Sequence, residues 1–245
     1  MSITILSSAC SDIGPRKAVN QDNYYMASTV VDRNSTAIFA VADGVSGSAH
    51  GEIASRICID AIDDWWKGTF PLLNCDKKRI VPSIADLIIG INSRVCETKL
   101  PEGGRSSSTL TVLHLMEDEW FTFNVGDSRI YRLRKGIVSK LEQLTEDQSC
   151  LVEREYNGEM YMKSVLTSCI GGRNPFKYGY SSGPLRSGDR FLLCSDGVYK
   201  TESFQQIRRI LGTKSDTPEQ VCNNFIKSAL RNGETDNITA VTVFC

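Results

Sequence analysis

Two long stretches of the chain repeat their apolar residues with the period of an α-helix. In residues 50–66 the apolar positions recur at i, i+1, i+4 and i+5, and residues 84–95 show a similar spacing. Each pattern gathers its apolar side chains into one stripe, so we predict two amphipathic helices that pack on a flat surface. Less regular helical patterns cover 202–211 and 217–230, and the second opens on a Thr-Pro-Glu sequence, an N-cap followed by proline.

Most of the remaining chain shows the apolar runs and alternation of β-strands. Strands are predicted at 3–9, 23–31, 36–42, 108–115, 119–125, 128–134, 137–141, 189–195 and 237–244. Short turn signals separate them, and the continuously apolar run at 37–42 is typical of a strand covered on both faces. Strands occur at both ends of the chain, helices lie between them, and no linker or repeat interrupts the pattern. We therefore predict a single α+β domain over residues 1–245.

Composition excludes several classes of protein. Of the 245 residues 41% are hydrophobic, and the formal net charge is −1, which argues against general disorder and against simple binding of nucleic acid. No uncharged run exceeds 11 residues, so we expect no membrane-spanning helix. No basic residue precedes Arg16, and the first apolar run is short, so we expect no secretory signal and a cytoplasmic location.

Cysteine and histidine usage argues against a disulfide scaffold and against a zinc site. The nine cysteines are an odd number, and the closest two, Cys58 and Cys75, are 17 positions apart. No Cys-x-x-Cys pair exists, and the chain has only two histidines. We expect most of the cysteines to be small buried residues that remain reduced.

Aspartates stand at the tips of several predicted strands. Asp43, Asp127 and Asp196 each follow an apolar strand beside glycine, while Asp22 and Asp236 precede strands. If these tips meet, three to five carboxylates share one pocket, where like charges about 4 Å apart repel by roughly 4 kcal/mol per pair. Cations would relieve that repulsion, and an all-oxygen ligand set suits Mg²⁺, Mn²⁺ or Ca²⁺. Turn chemistry alone would explain each Asp-Gly pair in isolation, so the residues by themselves leave both interpretations open and do not identify a substrate.

A series of longer motifs resembles the metal-dependent protein phosphatase 2C family, in family order and over nearly the whole chain. The motifs are GPRKAVNQD (14–22), FAVADGVSGSAHGEIAS (39–55), SSSTLTVLHL (106–115), FNVGDSRIYRLRKG (123–136), LTEDQS (144–149), VLTSCIGG (165–172), GDRFLLCSDGVYK (188–200) and TDNITAVTV (235–243). The resemblance implies a central antiparallel β-sandwich flanked by pairs of helices. It also implies hydrolysis of phosphoserine and phosphothreonine in proteins.

For the cofactor, the resemblance implies a binuclear Mn²⁺ or Mg²⁺ site. Asp43 matches the bridging carboxylate, Gly44 the residue whose carbonyl binds metal, and Asp196 and Asp236 the remaining acids. Asp127 matches the residue that helps to hold a third ion in bacterial-type members. Two such ions lower the pKa of bound water and clamp a phosphoryl oxygen, so the resemblance implies direct attack by a hydroxide.

The expected catalytic and phosphate-binding residues lie near the N-terminus. Asp22 matches an acid that orients water. The family's phosphate-binding arginine falls at Lys17, with Arg16 beside it; the planar fork of arginine favours Arg16, and Lys17 would serve as a point charge. Val45 stands where eukaryotic members carry a histidine, which is typical of bacterial members.

Residues 145–185 match the family's variable flap beside the active site. Its tyrosines and its basic residues, Arg154, Lys163, Arg173 and Lys177, could bind the flank of a phosphopeptide. A solvated loop with packed aromatic residues is the interpretation we favour from the sequence. The resemblance further implies a monomer whose partners are phosphorylated proteins, including a Ser/Thr kinase or its substrates. A pseudophosphatase that binds phosphoproteins is the alternative, although all the acids of the motif set are retained.

Overall fold

Two antiparallel sheets of five strands each form the centre of the molecule. The computed structural model describes residues 3–31, 34–45, 48, 50–100, 103–136, 139–156, 159–172, 176–214 and 216–245. Its strands are β1 (Leu6–Asp12), β2 (Asp22–Val31), β3 (Asn34–Asp43), β4 (Leu110–Met116), β5 (Glu119–Val125), β6 (Arg129–Arg134), β7 (Lys140–Gln143), β8 (Ser149–Tyr156), β9 (Glu159–Leu166), β10 (Gly179–Pro184), β11 (Arg190–Cys194) and β12 (Ile238–Phe244). One sheet has the order β1-β12-β11-β6-β7 and the other β10-β5-β4-β3-β2, while β8 and β9 form a separate hairpin.

Helices cover the outer face of each sheet. They are α1 (Gly51–Asp64), α2 (Lys77–Glu97), α3 (Asp196–Tyr199), α4 (Phe204–Leu211) and α5 (Pro218–Arg231). One apolar cluster joins α1 and α2 to the β3–β4–β5 sheet, and a second joins α4 and α5 to the other sheet. A third cluster, which includes Phe39, Leu113 and Phe191, fills the space between the sheets. The layers are therefore helix, sheet, sheet and helix, which confirms the predicted α+β sandwich.

The two chain ends meet, as the strand pattern predicts. Strand β1 pairs antiparallel with β12, so that Leu6 lies opposite Phe244. Helix α5 begins at the predicted cap: the Thr217 hydroxyl accepts a hydrogen bond from the Gln220 amide, and the Gln220 side-chain oxygen accepts one from the Thr217 amide. No helix among the described residues is long and apolar enough to cross a membrane.

Three parts of the fold differ from the sequence-based prediction. Helix α2 starts at Lys77, not at 84, because the Asp76 side chain caps it and the helix accommodates Pro82. Residues 145–185, for which the sequence favours a loop, contain β8 and β9, and Gly179–Pro184 within them is an edge strand of the sandwich. Of the strand predicted at 137–141, residues 137 and 138 lie outside the described residues, and the observed strand is Lys140–Gln143.

A fully buried histidine in the α1–α2 core makes stability depend on pH. His114 on β4 packs against the rings of Trp65, Phe70 and Phe121, and neither of its ring nitrogens has a hydrogen-bond partner in the structure. Burial lowers the pKa of His114 to about 3. The unfolded chain, in which histidine has a pKa near ~6.5, therefore binds a proton below that pH while the folded chain does not.

The contribution of His114 to stability is expected to fall as the pH drops from about 6.5 toward 3, and His114→Phe should remove this loss. At pH 5 the linkage amounts to roughly 2 kcal/mol, or about 4–8 °C in Tm for a chain of this length. The measurement is the Tm at pH 7.5 and pH 5 of wild type, His114→Phe and the control His50→Asn, which alters the other histidine. The same change in Tm between pH 7.5 and pH 5 in wild type and His114→Phe would contradict the prediction.

Candidate metal centre

The five aspartates singled out in the sequence come together at one end of the sandwich. Asp22 and Asp43 lie opposite each other in the β2–β3 register, and the charge of Asp22 is one of the causes that raise the pKa of Asp43. Asp127 lies in the turn between β5 and β6, Asp196 begins α3, and Asp236 precedes β12. A cavity of about 410 Å³ is lined by Asp43, Asp127, Asp196 and Asp236. Asp22 is buried and is not among the residues that line the cavity.

The electrostatics of this cluster favour bound cations. Burial, followed by repulsion from Asp22, Asp196, Asp127 and Asp236, raises the pKa of Asp43 well above its usual range. Burial is also the main cause that raises the pKa values of Asp127 and Asp196, and it raises that of Asp22 to about 6. Ionisation of these carboxyl groups therefore costs free energy in the folded protein, and a bound divalent cation would offset that cost.

One oxygen of the cluster lacks any hydrogen-bond donor. The Ser195 hydroxyl donates to Oδ2 of Asp22 over 2.8 Å, and Ser195 in turn accepts the Thr239 amide over 3.0 Å. Oδ1 of Asp22 is buried and has no partner. A buried carboxylate oxygen without a hydrogen-bond donor costs free energy. A proton or a cation bound by the carboxyl groups of Asp22 and Asp43 would lower that cost.

Two lysines offset part of the negative charge. Lys17 Nζ lies 2.6 Å from Oδ1 of Asp236, and Lys200 forms an ion pair with Asp196. The five carboxylates then exceed the two ammonium groups by three charges. No group of three or more His, Cys, Asp or Glu side chains in the described part of the chain closes on a single ion-sized point. The acids line a shared cavity but are turned partly toward the lysines.

Close backbone contacts hold the loops of the site together, and they explain two of its glycines. A Cβ on Gly197, beside Asp196, would lie 2.1 Å from the carbonyl oxygen of Asn237. Gly14 has a φ of +74°, and a Cβ there would lie 2.1 Å from the carbonyl oxygen of Asp236. Glycine is required after Asp196 because the backbone of another loop packs against it. The sequence alone indicates only a turn at this position.

The Asn237 side chain ties the N-terminal loop to the site. Its Oδ1 accepts a hydrogen bond from the Gln21 amide over 2.9 Å, and its Nδ2 donates to the Ile13 carbonyl over 2.7 Å. These contacts span both ends of the loop that carries Arg16 and Lys17. Arg16 is exposed, whereas Lys17 reaches Asp236.

Hydrogen bonds also fix the end of β3 that carries Asp43. The Asp43 amide donates to Oγ1 of Thr109 over 3.0 Å, and its carbonyl accepts from the Thr109 amide over 2.8 Å. Gly44 is buried, and its amide donates to the Gln21 carbonyl over 3.1 Å. The strand end that bears Asp43 is thereby fixed from both sides.

The site contains several residues that the sequence-based prediction does not place there. Lys200 is one of them, although its i+4 spacing from Asp196 on one helical turn is visible in the sequence. Arg154 and Lys163 of the β8–β9 hairpin line the same cavity, contrary to the favoured interpretation of a solvated loop. Val45 also lines it, at the position where a histidine stands in eukaryotic members. Arg173 lies outside the described residues.

A half-buried arginine supports the turn that carries Asp127. The Arg129 guanidinium forms a two-pronged ion pair with Asp147, with nitrogen–oxygen distances of 2.9 and 2.6 Å. It also stacks on the Tyr199 ring at 3.5 Å from the ring centre, and Tyr199 is the last residue of α3. Arg129 thus joins the Asp127 turn to the helix that begins at Asp196.

Comparisons with known proteins agree with this geometry. The family model described as protein phosphatase 2C matches residues 15–232. The chain is 28% identical over 244 residues to the serine/threonine phosphatase stp of Listeria monocytogenes, covering 95% of this chain and 93% of that protein. The serine/threonine phosphatase of S. agalactiae superposes with a TM-score of 0.81 at 26% identity, covering 98% of this chain and 99% of that one.

Another similar solved structure contains metal ions. The catalytic domain of the serine/threonine protein phosphatase PstP, in complex with two manganese ions, has a TM-score of 0.73 and 26% identity to this chain, and the match covers 98% of this chain and 97% of that one. The chain belongs to the protein phosphatase 2C family, whose members depend on metal ions. Its similarity extends over 93% of the Listeria monocytogenes phosphatase and over 96% of the protein phosphatase PhpP of Streptococcus pneumoniae.

Proposed function

We propose that the protein is a metal-dependent phosphatase that hydrolyses phosphoserine and phosphothreonine in proteins. The observation that carries this proposal is the convergence of four aspartates on one cavity, where burial and repulsion from its neighbours raise the pKa of Asp43. Family membership and the names of the relatives support the same activity.

The residues present fit two Mn²⁺ or Mg²⁺ ions. Asp43, the Gly44 carbonyl, Asp196 and Asp236 would hold them, and Asp127 with Asp196 would hold a third. The donor set is all oxygen, and the unpartnered Oδ1 of Asp22 lies in the adjoining carboxyl pair. When bound, such ions supply a water of lowered pKa and a positive charge for the phosphoryl oxygens.

The chain's own residues position the substrate and the attacking water. Asp22 is held by the Ser195 hydroxyl, so its carboxyl can accept a hydrogen bond from water in a fixed direction. Lys17 already lies at the acids, and we propose that it releases Asp236 when cations bind and then contacts the phosphate as a point charge. Arg16, which the sequence favours for this role, is exposed and would have to turn inward.

The β8–β9 hairpin places positive charge over an otherwise acidic cavity. Arg154 and Lys163 line its rim, and their side chains are exposed. A phosphopeptide is anionic, so these two groups would draw it toward the acids, which on their own would repel it. Phosphorylated proteins, including a Ser/Thr kinase or its substrates, are the partners that this arrangement suits.

The test is phosphate release from a panel of phosphopeptides at increasing Mn²⁺ and Mg²⁺. The proposal expects turnover of phosphoserine and phosphothreonine peptides and of an aryl phosphate, with no turnover in EDTA. Phosphopeptide binding without turnover at saturating metal would overturn it in favour of the pseudophosphatase. Turnover that EDTA leaves unchanged would overturn the metal dependence.

A further inference from the structure

A second cavity, far from the acids, has the opposite charge. It has a volume of about 350 Å³ and lies at the end of β6, between the edge strand β7 and the segment that follows β10. Its charged lining residues are Arg132, Arg134, Lys135, Lys140, Arg186 and Glu142, which we call the basic cavity. Along β6, at about 3.3 Å per residue, the basic cavity is roughly 20 Å from Asp127.

The basic cavity breaks the pattern of the sandwich interior. In the β6–β7 register Arg132 pairs with Glu142 and Arg134 with Lys140, so these four side chains share one face of the sheet. Ile130, two residues earlier on the same face, belongs to the apolar core between the sheets. Cationic residues thus replace apolar ones where the inner face reaches the end of the sandwich.

Positive charge exceeds negative charge in the basic cavity. Arg134 binds the buried Asp189 with both prongs, at 2.9 and 2.6 Å, and Arg132 binds Glu142 at 2.6 Å. Within the described residues no ion pair engages the three remaining cations, Lys135, Lys140 and Arg186, all of which are exposed. In a chain with a net charge of −1, such a local excess is a site for an anion.

One buried donor of the basic cavity lacks an acceptor. Arg132 is only 8% exposed, and its Nε has no hydrogen-bond partner in the structure. Its guanidinium lies 5.2 Å from the centre of the ring of Trp120, a residue of the apolar core between the sheets. An unpartnered buried N–H group is rare in folded proteins, and a ligand rich in oxygen would satisfy it.

We propose that the basic cavity binds a phosphate group, either free or carried on a protein, at a site separate from the metal centre. Arginine forks match the oxygens of a phosphate, and the lysines add charge at the mouth of the cavity. The site needs no metal ion, so it binds phosphate whether or not the acids hold cations. Whether phosphate binds to the basic cavity is therefore a separate question from whether the protein has the proposed catalytic activity.

The test titrates the full-length chain with inorganic phosphate, with a singly phosphorylated peptide and with its unphosphorylated form, in EDTA and again with Mg²⁺. Binding is followed by calorimetry and by tryptophan emission, since Trp120 lies against Arg132. We compare wild type with Lys140→Gln/Arg186→Gln, which removes two exposed charges. The matched control is Lys227→Gln/Arg231→Gln, which removes two exposed charges from α5.

We expect saturable phosphate binding in EDTA, weakened at least about tenfold in the cavity variant and unchanged in the control. Trp120→Phe should abolish the emission change while calorimetry still detects binding. Tighter binding of the phosphopeptide than of phosphate would assign a protein-borne group, and equal binding would assign free phosphate. Absence of saturable binding in EDTA, or equal binding by wild type and the cavity variant, would overturn the proposal.

Discussion

Asp43→Asn is expected to reduce metal-dependent phosphate release by at least about 10³-fold. Asp43 is the one acid whose pKa is raised by all four of the others, so its carboxylate lies at the centre of the cluster. Loss of one charge–charge interaction at ~4 Å, at an effective dielectric near 20, removes about 4 kcal/mol, which corresponds to roughly three orders of magnitude in rate. Steady-state assays with a phosphopeptide at saturating Mn²⁺ measure this effect.

The control for this variant is Asp60→Asn, which removes an exposed carboxylate from α1 and should keep wild-type turnover. In EDTA, Asp43→Asn should melt at the same temperature as wild type or higher, because it removes a buried, repelled charge. Low activity together with undiminished stability would show that the loss is chemical and does not arise from unfolding. Wild-type turnover by Asp43→Asn would contradict the assignment.

The second large effect is on thermal stability. Ions that bind the folded chain alone stabilise it by about 2.7 kcal/mol at 100-fold excess over Kd, which is about 5–11 °C in Tm for a chain of this size. Mn²⁺ relieves the repulsion among the acids and provides a partner for the carboxyl pair of Asp22 and Asp43. We therefore expect Tm to rise by this amount on adding Mn²⁺ and to fall again with EDTA, as measured by calorimetry.

The matched experiment uses Asp196→Asn, which removes a second acid that faces the cavity. Its Mn²⁺-induced rise in Tm should be less than half that of wild type, while Asp60→Asn keeps the full rise. A melting temperature that neither Mn²⁺ nor EDTA changes in wild type would show that the acids do not bind cations.

Much of the sandwich could be predicted because burial on both faces leaves a strong signal. The run that became β3 is continuously apolar, since one face meets α1 and α2 and the other meets the second sheet. The β8–β9 hairpin leaves a weaker signal: Leu151, Met160 and Met162 are exposed although apolar. A strand pair outside the core does not have to separate apolar from polar faces, so its pattern is difficult to distinguish from that of a loop.

The acids of the site could be predicted, but their partners could not. Aspartate at a strand tip beside glycine is visible in the sequence, and the family resemblance gives each one an expected role. The ion pairs of Lys17 and Lys200 with Asp236 and Asp196 depend on how loops fold against each other. The sequence alone cannot decide between Arg16 and Lys17, because adjacent side chains point in different directions once Asn237 fixes the loop that carries them.

The central claim is that carboxylates from distant parts of the chain together bind a pair of divalent ions. The most direct measurement is a titration of the metal-free protein with Mn²⁺, followed by electron paramagnetic resonance of the free ion. We predict at least two saturable sites per chain in wild type and the loss of at least one in Asp43→Asn. Absence of saturable Mn²⁺ binding in wild type, or the same number of sites in both proteins, would contradict the account.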